Sequence, residues 1–170
     1  GNTGQHAMRK SCSMSDYTLR RTMMVDTQVR PSDVTKFPII EAMLSVPREA
    51  YVPQNMREVA YVGECVELGA GRVVLEPRTL AKMLDALDIQ QNELVLDIGS
   101  ALGYSSAVIA RMAEAVIALE ENEAMASDAQ ENFMENGADN VVSETGVLAQ
   151  GAAAHGPYDV VILQGAVEAM

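Results

Sequence analysis

The sequence contains no tryptophan, only two cysteines and only two histidines in 170 residues. Cys12 and Cys65 lie far apart, without a CxxC pair, so neither a disulfide framework nor a zinc site is expected. The sequence also lacks an apolar run of about eighteen residues that could cross a membrane, and an apolar signal segment near residue 1. We therefore expect no metal, no membrane association and a cytoplasmic location.

Positive charge is also scarce, with 12 basic against 24 acidic residues and a net charge of -12. Such a surface repels polyphosphates, so nucleic acid is not expected as a partner. Nearly half of the residues are hydrophobic (48%), which is enough for one globular domain with a substantial core.

The first half of the chain is predicted to be mainly helical. Residues 1–8 are small and polar and are interpreted as a tag remnant or a disordered tail. Mixed apolar periodicity predicts helices over residues 16–29 and 34–45, the second with Ser32 or Asp33 as its N-cap. A further amphipathic helix follows Pro77, with apolar residues at helical spacing: Leu80, Met83, Leu84 and Leu87.

After residue 90 the pattern changes to short apolar strands that alternate with helices. Strands are predicted over residues 94–98, 115–120, 140–143 and 159–163, and helices over residues 105–112 and 123–135. Apolar strands joined by helices are typical of a parallel sheet with covered faces. The sequence thus predicts an α/β fold: a Rossmann-like parallel sheet with helices on both faces, preceded by an N-terminal helical segment.

Candidate binding residues lie where two predicted strands end. Asp97-Ile98-Gly99-Ser100-Ala101-Leu102-Gly103 joins a strand to a helix, and its glycines would let the backbone approach a ligand closely. Glu120 ends the next strand, where an acid can accept hydrogen bonds from both hydroxyls of a ribose. Each feature also has a simpler interpretation, a packing turn for the loop and a solvated charge for the acid.

The segment Val95-Leu96-Asp97-Ile98-Gly99-Ser100-Ala101-Leu102-Gly103-Tyr104-Ser105-Ser106-Ala107-Val108-Ile109-Ala110 resembles the first cofactor motif of the protein-L-isoaspartate O-methyltransferases. Two N-terminal segments resemble the same family, Met24-Val25-Asp26-Thr27-Gln28-Val29-Arg30 and the stretch from Ile40 to Pro53. The resemblance runs co-linearly from Met23 to Ala166, which is more specific than a glycine motif.

The resemblance implies an S-adenosylmethionine-dependent methyltransferase that acts on a carboxylate of a protein or peptide. It divides the domain into a helical and substrate-loop region, residues 9–90, and a cofactor-binding portion, residues 91–170. The implied cofactor-binding residues are Asp97, Gly99, Ser100, Ala101, Gly103, Tyr104, Glu120 and Glu121. Tyr104 would either stack on the ligand or pack in the core.

The sequence departs from the family pattern at three places, one of which is Gly146-Val147-Leu148, where the family has Gly-Asp-Gly after the third strand. Ala101 replaces the middle glycine of the loop and would be strained if that position requires positive φ. The substrate loop of the family reads Gly-Gln-Thr-Ile-Ser-Gln/Ala-Pro, whereas this chain reads Gly71-Arg72-Val73-Val74-Leu75-Glu76-Pro77. The hydroxyls are lost and Glu76 would repel a carboxylate substrate, so the catalytic residues stay unassigned.

The sheet is expected to be incomplete at its C-terminal end, because methyltransferases of this class have three further strands. We therefore expect either a truncated product or a homo-oligomer that forms through the exposed sheet edge.

Two alternatives remain open. The altered substrate loop would suit a non-catalytic relative that keeps the fold as a binding or interaction module. The loop and Glu120 would also suit an NAD-dependent oxidoreductase, although Tyr104 and the N-terminal resemblance argue against it.

Overall fold

The computed structural model describes residues 14–63, 65–69, 71–147 and 157–164 of the chain. The segment 1–8, interpreted above as a tag remnant or tail, lies outside these residues. Numbered in chain order, the helices are α1 (Met14–Met24), α2 (Phe37–Ser45), α3 (Pro77–Leu87), α4 (Tyr104–Ala110) and α5 (Glu123–Glu135). The strands are β1 (Val66–Gly69), β2 (Arg72–Val74), β3 (Leu94–Ile98), β4 (Ala115–Glu120), β5 (Val141–Thr145) and β6 (Val160–Leu163).

Four strands form a parallel sheet in the order β5-β4-β3-β6. The register is continuous, and β3 pairs with β4 from Leu94 and Ala115 to Ile98 and Leu119. β4 and β6 both follow β3 in the chain but lie on opposite sides of it, so the order of connection reverses at β3. In open parallel sheets a ligand site lies beyond the carboxyl ends of the strands at such a switch point. The predicted Rossmann-like parallel sheet is confirmed.

The two faces of this sheet are packed differently. Val95, Val116 and Ile162 belong to the large core cluster that includes buried residues of α2, α3, α4 and α5. On the other face a smaller cluster contains four buried strand residues, with Leu94 and Tyr158 packed against it: Leu96, Ile98, Ile117 and Leu119. In the described part of the chain, helical residues therefore contribute to the core on one face only.

The N-terminal helices begin and end differently from the prediction. α1 continues as a π-helical turn, Val25–Val29, and a 3-10 turn that ends at Asp33, whose φ is +64°. α2 begins only at Phe37, with Pro38 in its first turn. The prediction of a helix from residue 34 with Ser32 or Asp33 as N-cap is therefore wrong. Asp33 adopts a left-handed conformation that ends the preceding helix, and a proline suits a helix start.

An antiparallel hairpin, β1 and β2, was not predicted from the sequence. It carries the segment that the resemblance identified as the substrate loop, and its turn contains Gly69 and Gly71 with φ of +85° and +73°. Strands of four and three residues are too short for a clear alternating pattern. α3, which follows the hairpin, confirms the predicted amphipathic helix: it begins at Pro77, ends at Leu87 and buries Leu80 and Leu84.

Candidate cofactor and acceptor site

The loop between β3 and α4 lies at the carboxyl end of the sheet. Gly99, Ala101 and Gly103 have φ of +78°, +52° and +100°, and the Gly99 amide donates to the Leu119 carbonyl over 2.8 Å. A Cβ on Gly99 would lie 3.1 Å from the Gln164 carbonyl oxygen, and one on Gly103 would lie 2.5 Å from Phe133. Both glycines are therefore required by close packing, and Ala101 occupies the strained conformation that the sequence raised as a concern.

Glu120 lies at the same end of the sheet as this loop. Its side chain is fully buried, and Oε1 accepts a hydrogen bond from the Ala101 amide over 3.1 Å. Oε2 accepts one from the Asn122 amide over 2.8 Å. Glu120 is therefore not a solvated surface charge, and the structure brings it to the glycine loop as the Rossmann-like arrangement requires.

Arg72 of the hairpin completes the surroundings of Glu120. Its Nε donates to Glu120 Oε1 over 2.6 Å and its Nη2 to Oε2 over 3.1 Å. The arginine side chain is only 13% exposed. This contact was not predicted, since the resemblance gave Arg72 only a place in the substrate loop. Arg72 lies 48 positions from Glu120 along the chain, so the sequence offered no local signal of this contact.

The Asp97 side chain lies between the start of α4 and the end of β6, on the opposite side of the loop from Glu120. It is fully buried and accepts hydrogen bonds from the Ser105 and Ser106 hydroxyls over 2.7 and 2.6 Å, and from the Gln164 amide over 2.9 Å. Burial raises the pKa of the Asp97 carboxyl above its ordinary value, although these three donors oppose the shift. Asp97 thus joins the start of α4 to the end of β6 and fixes the base of the loop.

The hairpin and the loop enclose a small cavity. It is lined by Val73, Val74, Leu75 and Leu80 on one side, and by residues 99–105 and Gln164 on the other. Its volume is about 10 Å³, room for roughly one water molecule. In this conformation the cavity is too small for a nucleoside, so ligand binding at the loop requires residues that line it to move.

One buried polar atom at the cavity, the Ser100 hydroxyl, has no hydrogen-bond partner in the part of the chain that the structure describes. Tyr104 packs against the ring of Tyr51, with centroids 6.2 Å apart, and the Arg48 guanidinium lies 4.8 Å from the centroid of the Tyr104 ring. Burial raises the pKa of the phenol, and the neighbouring Arg48 opposes the shift. Buried polar groups without partners are uncommon, so the Ser100 hydroxyl is available to a polar ligand.

Not every predicted residue reaches the cavity. Glu121 is exposed beyond the end of β4, and the Glu76 carboxylate accepts a hydrogen bond from the Thr79 hydroxyl over 2.7 Å at the start of α3. Neither lines the cavity, so the expected repulsion by Glu76 is not directed into it. The cavity is lined instead by Val73, Val74 and Leu75. Arg48 Nη2 donates a hydrogen bond to the Leu75 carbonyl over 2.9 Å.

Gln164 is a lining residue that the prediction of binding residues did not include. It directly follows β6 and is buried. The residues after it, Gly165 and Ala166, lie outside the described part of the chain. The signal in the sequence was the polar residue directly after an apolar strand.

Across the described ranges, no group of three or more histidine, cysteine, aspartate or glutamate residues could hold a metal ion. Both histidines and Cys12 lie outside those ranges. No helix in the described part of the chain is long and apolar enough to span a membrane.

Comparisons with known proteins agree on one family. The family model for protein-L-isoaspartate(D-aspartate) O-methyltransferase matches residues 20–170. A Pelobacter propionicus protein-L-isoaspartate O-methyltransferase is 32% identical, over 92% of this chain and 72% of its own length. A Roseiflexus castenholzii relative of the same name is 31% identical, over 89% of this chain and 69% of its own length.

This chain belongs to the protein-L-isoaspartate(D-aspartate) O-methyltransferase family. The sequence-based prediction of an S-adenosylmethionine-dependent methyltransferase is thus confirmed at the level of the family. The comparisons give no support to the alternative of a non-catalytic relative.

Solved structures support the same fold. A structure named protein-L-isoaspartate O-methyltransferase has a TM-score of 0.73 at 22% identity and covers 84% of this chain, which spans 47% of that protein. A Plasmodium falciparum beta-aspartate methyltransferase, solved with S-adenosyl-L-homocysteine, has a TM-score of 0.65 at 20% identity. This match covers 85% of the present chain and 72% of the Plasmodium falciparum chain.

Proposed function

We propose that this chain binds S-adenosylmethionine at the loop of residues 99–104 and transfers its methyl group to a carboxylate of a protein or peptide. The observation that carries the proposal is the position of the buried Glu120 carboxylate directly against the Ala101 amide, at the carboxyl ends of β3 and β4. An acid at this point of a Rossmann-like sheet suits a ribose diol.

The described residues fit an adenosyl cofactor. Glu120 would accept hydrogen bonds from the ribose, and the backbone of residues 99–103, which lines the cavity, would lie close to the ligand. The Ser100 hydroxyl, buried and without a partner within the described residues, would gain one. Asp97 would act indirectly, because its carboxylate is already used by Ser105, Ser106 and Gln164.

The cofactor supplies a methyl group activated by a sulfonium. The chain has to align an acceptor oxygen and exclude water. Val73, Val74, Leu75 and Leu80 provide an apolar wall at the cavity, and a carboxylate acceptor is ionised at neutral pH without a general base. The substrate loop therefore needs no residue that removes a proton from the acceptor.

Calorimetric titration with S-adenosylhomocysteine and, separately, with NAD tests the cofactor. Binding of the first without the second is expected. Transfer of labelled methyl from S-adenosylmethionine to an isoaspartyl peptide, compared with the same peptide containing ordinary aspartate, tests the acceptor. Binding of NAD alone would contradict the proposal, and binding of S-adenosylhomocysteine without transfer to either peptide would restore the non-catalytic alternative.

We also propose that two copies associate through β6. This strand is an edge of the described sheet, and Val161 and Leu163 on it are 54% and 45% exposed. An open edge next to exposed apolar side chains favours strand pairing between copies. Light scattering over a range of concentrations tests this, and a monomer at all concentrations would contradict it.

The cytoplasmic location stays a prediction, as does the division between residues 9–90 and 91–170.

A further inference from the structure

Arg72 and Glu120 form a bidentate ion pair that joins the hairpin to the end of β4, beside the glycine loop. The two contacts, Nε to Oε1 and Nη2 to Oε2, measure 2.6 and 3.1 Å, and the pair is almost completely shielded from solvent. Arginine–carboxylate pairs of this geometry are among the strongest side-chain contacts. A charged contact therefore joins the hairpin to the end of β4, in addition to the core packing of Val66 and Val74.

This contact uses the hydrogen-bonding capacity that a ribose would need. Oε1 of Glu120 accepts from Ala101 and Arg72, and Oε2 accepts from Asn122 and Arg72. A carboxylate oxygen has about two lone-pair directions, so both oxygens are already saturated. A ribose diol can bind Glu120 only after the arginine has left.

We propose that Arg72 exchanges partners during the reaction cycle, leaving Glu120 when the cofactor ribose binds and then holding the acceptor carboxylate. The inference rests on the proposed function, because it requires Glu120 to be the ribose acceptor. It makes Arg72 a specificity-determining residue for carboxylate substrates, and it orders binding so that the cofactor enters before the acceptor.

The position of Arg72 supports the second half of the exchange. A guanidinium released from a buried acid needs another anion or solvent, and β2 carries Arg72 directly before Val73 and Val74, which line the cavity. The turn glycines at positions 69 and 71 would tolerate a hairpin movement, because no atom lies within 4 Å of a Cβ built on either. None of the described residues that line the cavity is basic. Two arginines lie next to it: Arg48, which donates to the Leu75 carbonyl and lies against the Tyr104 ring, and Arg72, which is the one that cofactor binding would release.

The first experiment measures the affinity for S-adenosylhomocysteine by calorimetry in the wild type, R72Q and R78Q. R72Q removes the competing guanidinium and is expected to bind about fivefold more tightly or better. R78Q is the matched control, because Arg78 is exposed on α3 and its replacement changes the net charge equally; its affinity should equal that of the wild type.

The second experiment measures binding of an isoaspartyl peptide with and without S-adenosylhomocysteine. In the wild type, saturating S-adenosylhomocysteine should tighten peptide binding about fivefold or more, because it frees Arg72. In R72Q this coupling should vanish and the peptide should bind weakly in both states. Should R72Q fail to fold by circular dichroism, R72K replaces it; lysine keeps the charge but lacks the bidentate fork, so intermediate values are expected.

The outcomes separate the two proposals. Equal or weaker S-adenosylhomocysteine binding in R72Q, with the wild type binding normally, overturns the exchange and leaves the proposed function intact. If S-adenosylhomocysteine still tightens peptide binding to the same degree in R72Q, the exchange is also overturned and the proposed function stays intact. Absence of S-adenosylhomocysteine binding in the wild type, R72Q and R78Q alike overturns both.

Discussion

Two buried carboxylates lie on either side of the glycine loop, and different kinds of hydrogen-bond donor surround them. Asp97, behind the loop, is surrounded by two hydroxyls and an amide. Glu120, in front of it, binds two backbone amides and an arginine. The donors to Asp97 come from α4 and from the residue that follows β6, which are fixed parts of the fold. The charged donor to Glu120 comes from a short hairpin that can move away. Asp97 thus keeps its donors, whereas in our proposal Glu120 exchanges its arginine donor for a ligand.

The largest effect is expected from Asp97→Ala. The substitution leaves the Ser105, Ser106 and Gln164 donors without their buried acceptor, which costs roughly 3 kcal/mol of unfolding free energy. Urea denaturation followed by circular dichroism measures this. A control at the exposed Asp128 of α5, Asp128→Ala, should change stability by less than about 0.5 kcal/mol. If the two variants were equally stable, Asp97 would not hold the loop.

Glu120→Ala should weaken ligand binding as well as folding, because it also leaves Arg72 and two backbone amides without their acceptor. Loss of the ribose acceptor is expected to reduce the affinity for S-adenosylhomocysteine by about 1 kcal/mol in the wild type, and by up to about 3 kcal/mol in an R72Q background. The first loss is smaller because the substitution also removes the competing contact. Glu114→Ala, at the opposite end of β4, is the matched control. Unchanged affinity in both backgrounds would remove Glu120 from the site.

The pH dependence of stability should distinguish Asp97 from its neutral analogue. Because burial raises the folded-state pKa of Asp97 above its ordinary value of 3.8, the folded state binds the proton more tightly than the unfolded state. The Asp97 contribution to stability is therefore fully present below pH 3.8 and is lost as the pH rises through the folded-state pKa. The free energy of unfolding of the wild type minus that of Asp97→Asn should fall with pH across this window. A difference that is flat or rises would contradict the shift.

The smallest effect is expected at Ala101. Its φ of +52° is unfavourable for alanine by about 1 kcal/mol, and glycine would relieve this while losing more entropy on folding. We therefore expect Ala101→Gly to stabilise the protein by about 0.5 kcal/mol in thermal unfolding. Ala107→Gly, a buried helical position in α4, should destabilise it by about 1 kcal/mol. Destabilisation by both would show that Ala101 is not strained.

The sequence was sufficient to predict the parallel sheet, because β3 and β4 are continuous apolar segments and the observed strands match the predicted bounds. α3 and α5 were equally clear, since apolar spacing and end signals agreed. The start of α2 was mispredicted because Asp33 can serve either as an N-cap or as a left-handed helix end. Local sequence does not decide between these.

Of the site, the loop and Glu120 were predictable because they follow consecutive strands whose ends meet at one edge of the sheet. The partner of Glu120 was not, because Arg72 is 48 positions away along the chain and approaches through a hairpin without a periodic signal. The position of Asp97 behind the loop depends on the direction in which its side chain leaves β3. The sequence gives the residue type at that point but not the three donors that surround it.

The aromatic packing at the loop has a spectroscopic consequence. The chain has five tyrosines and no tryptophan, so its intrinsic emission near 300 nm is not masked by indole. Tyr104 begins α4 at the cavity and lies 6.2 Å from Tyr51, close enough for excitation to pass between the two rings. Any rearrangement of the loop would alter this emission, so the native chain carries its own optical reporter and needs no attached dye.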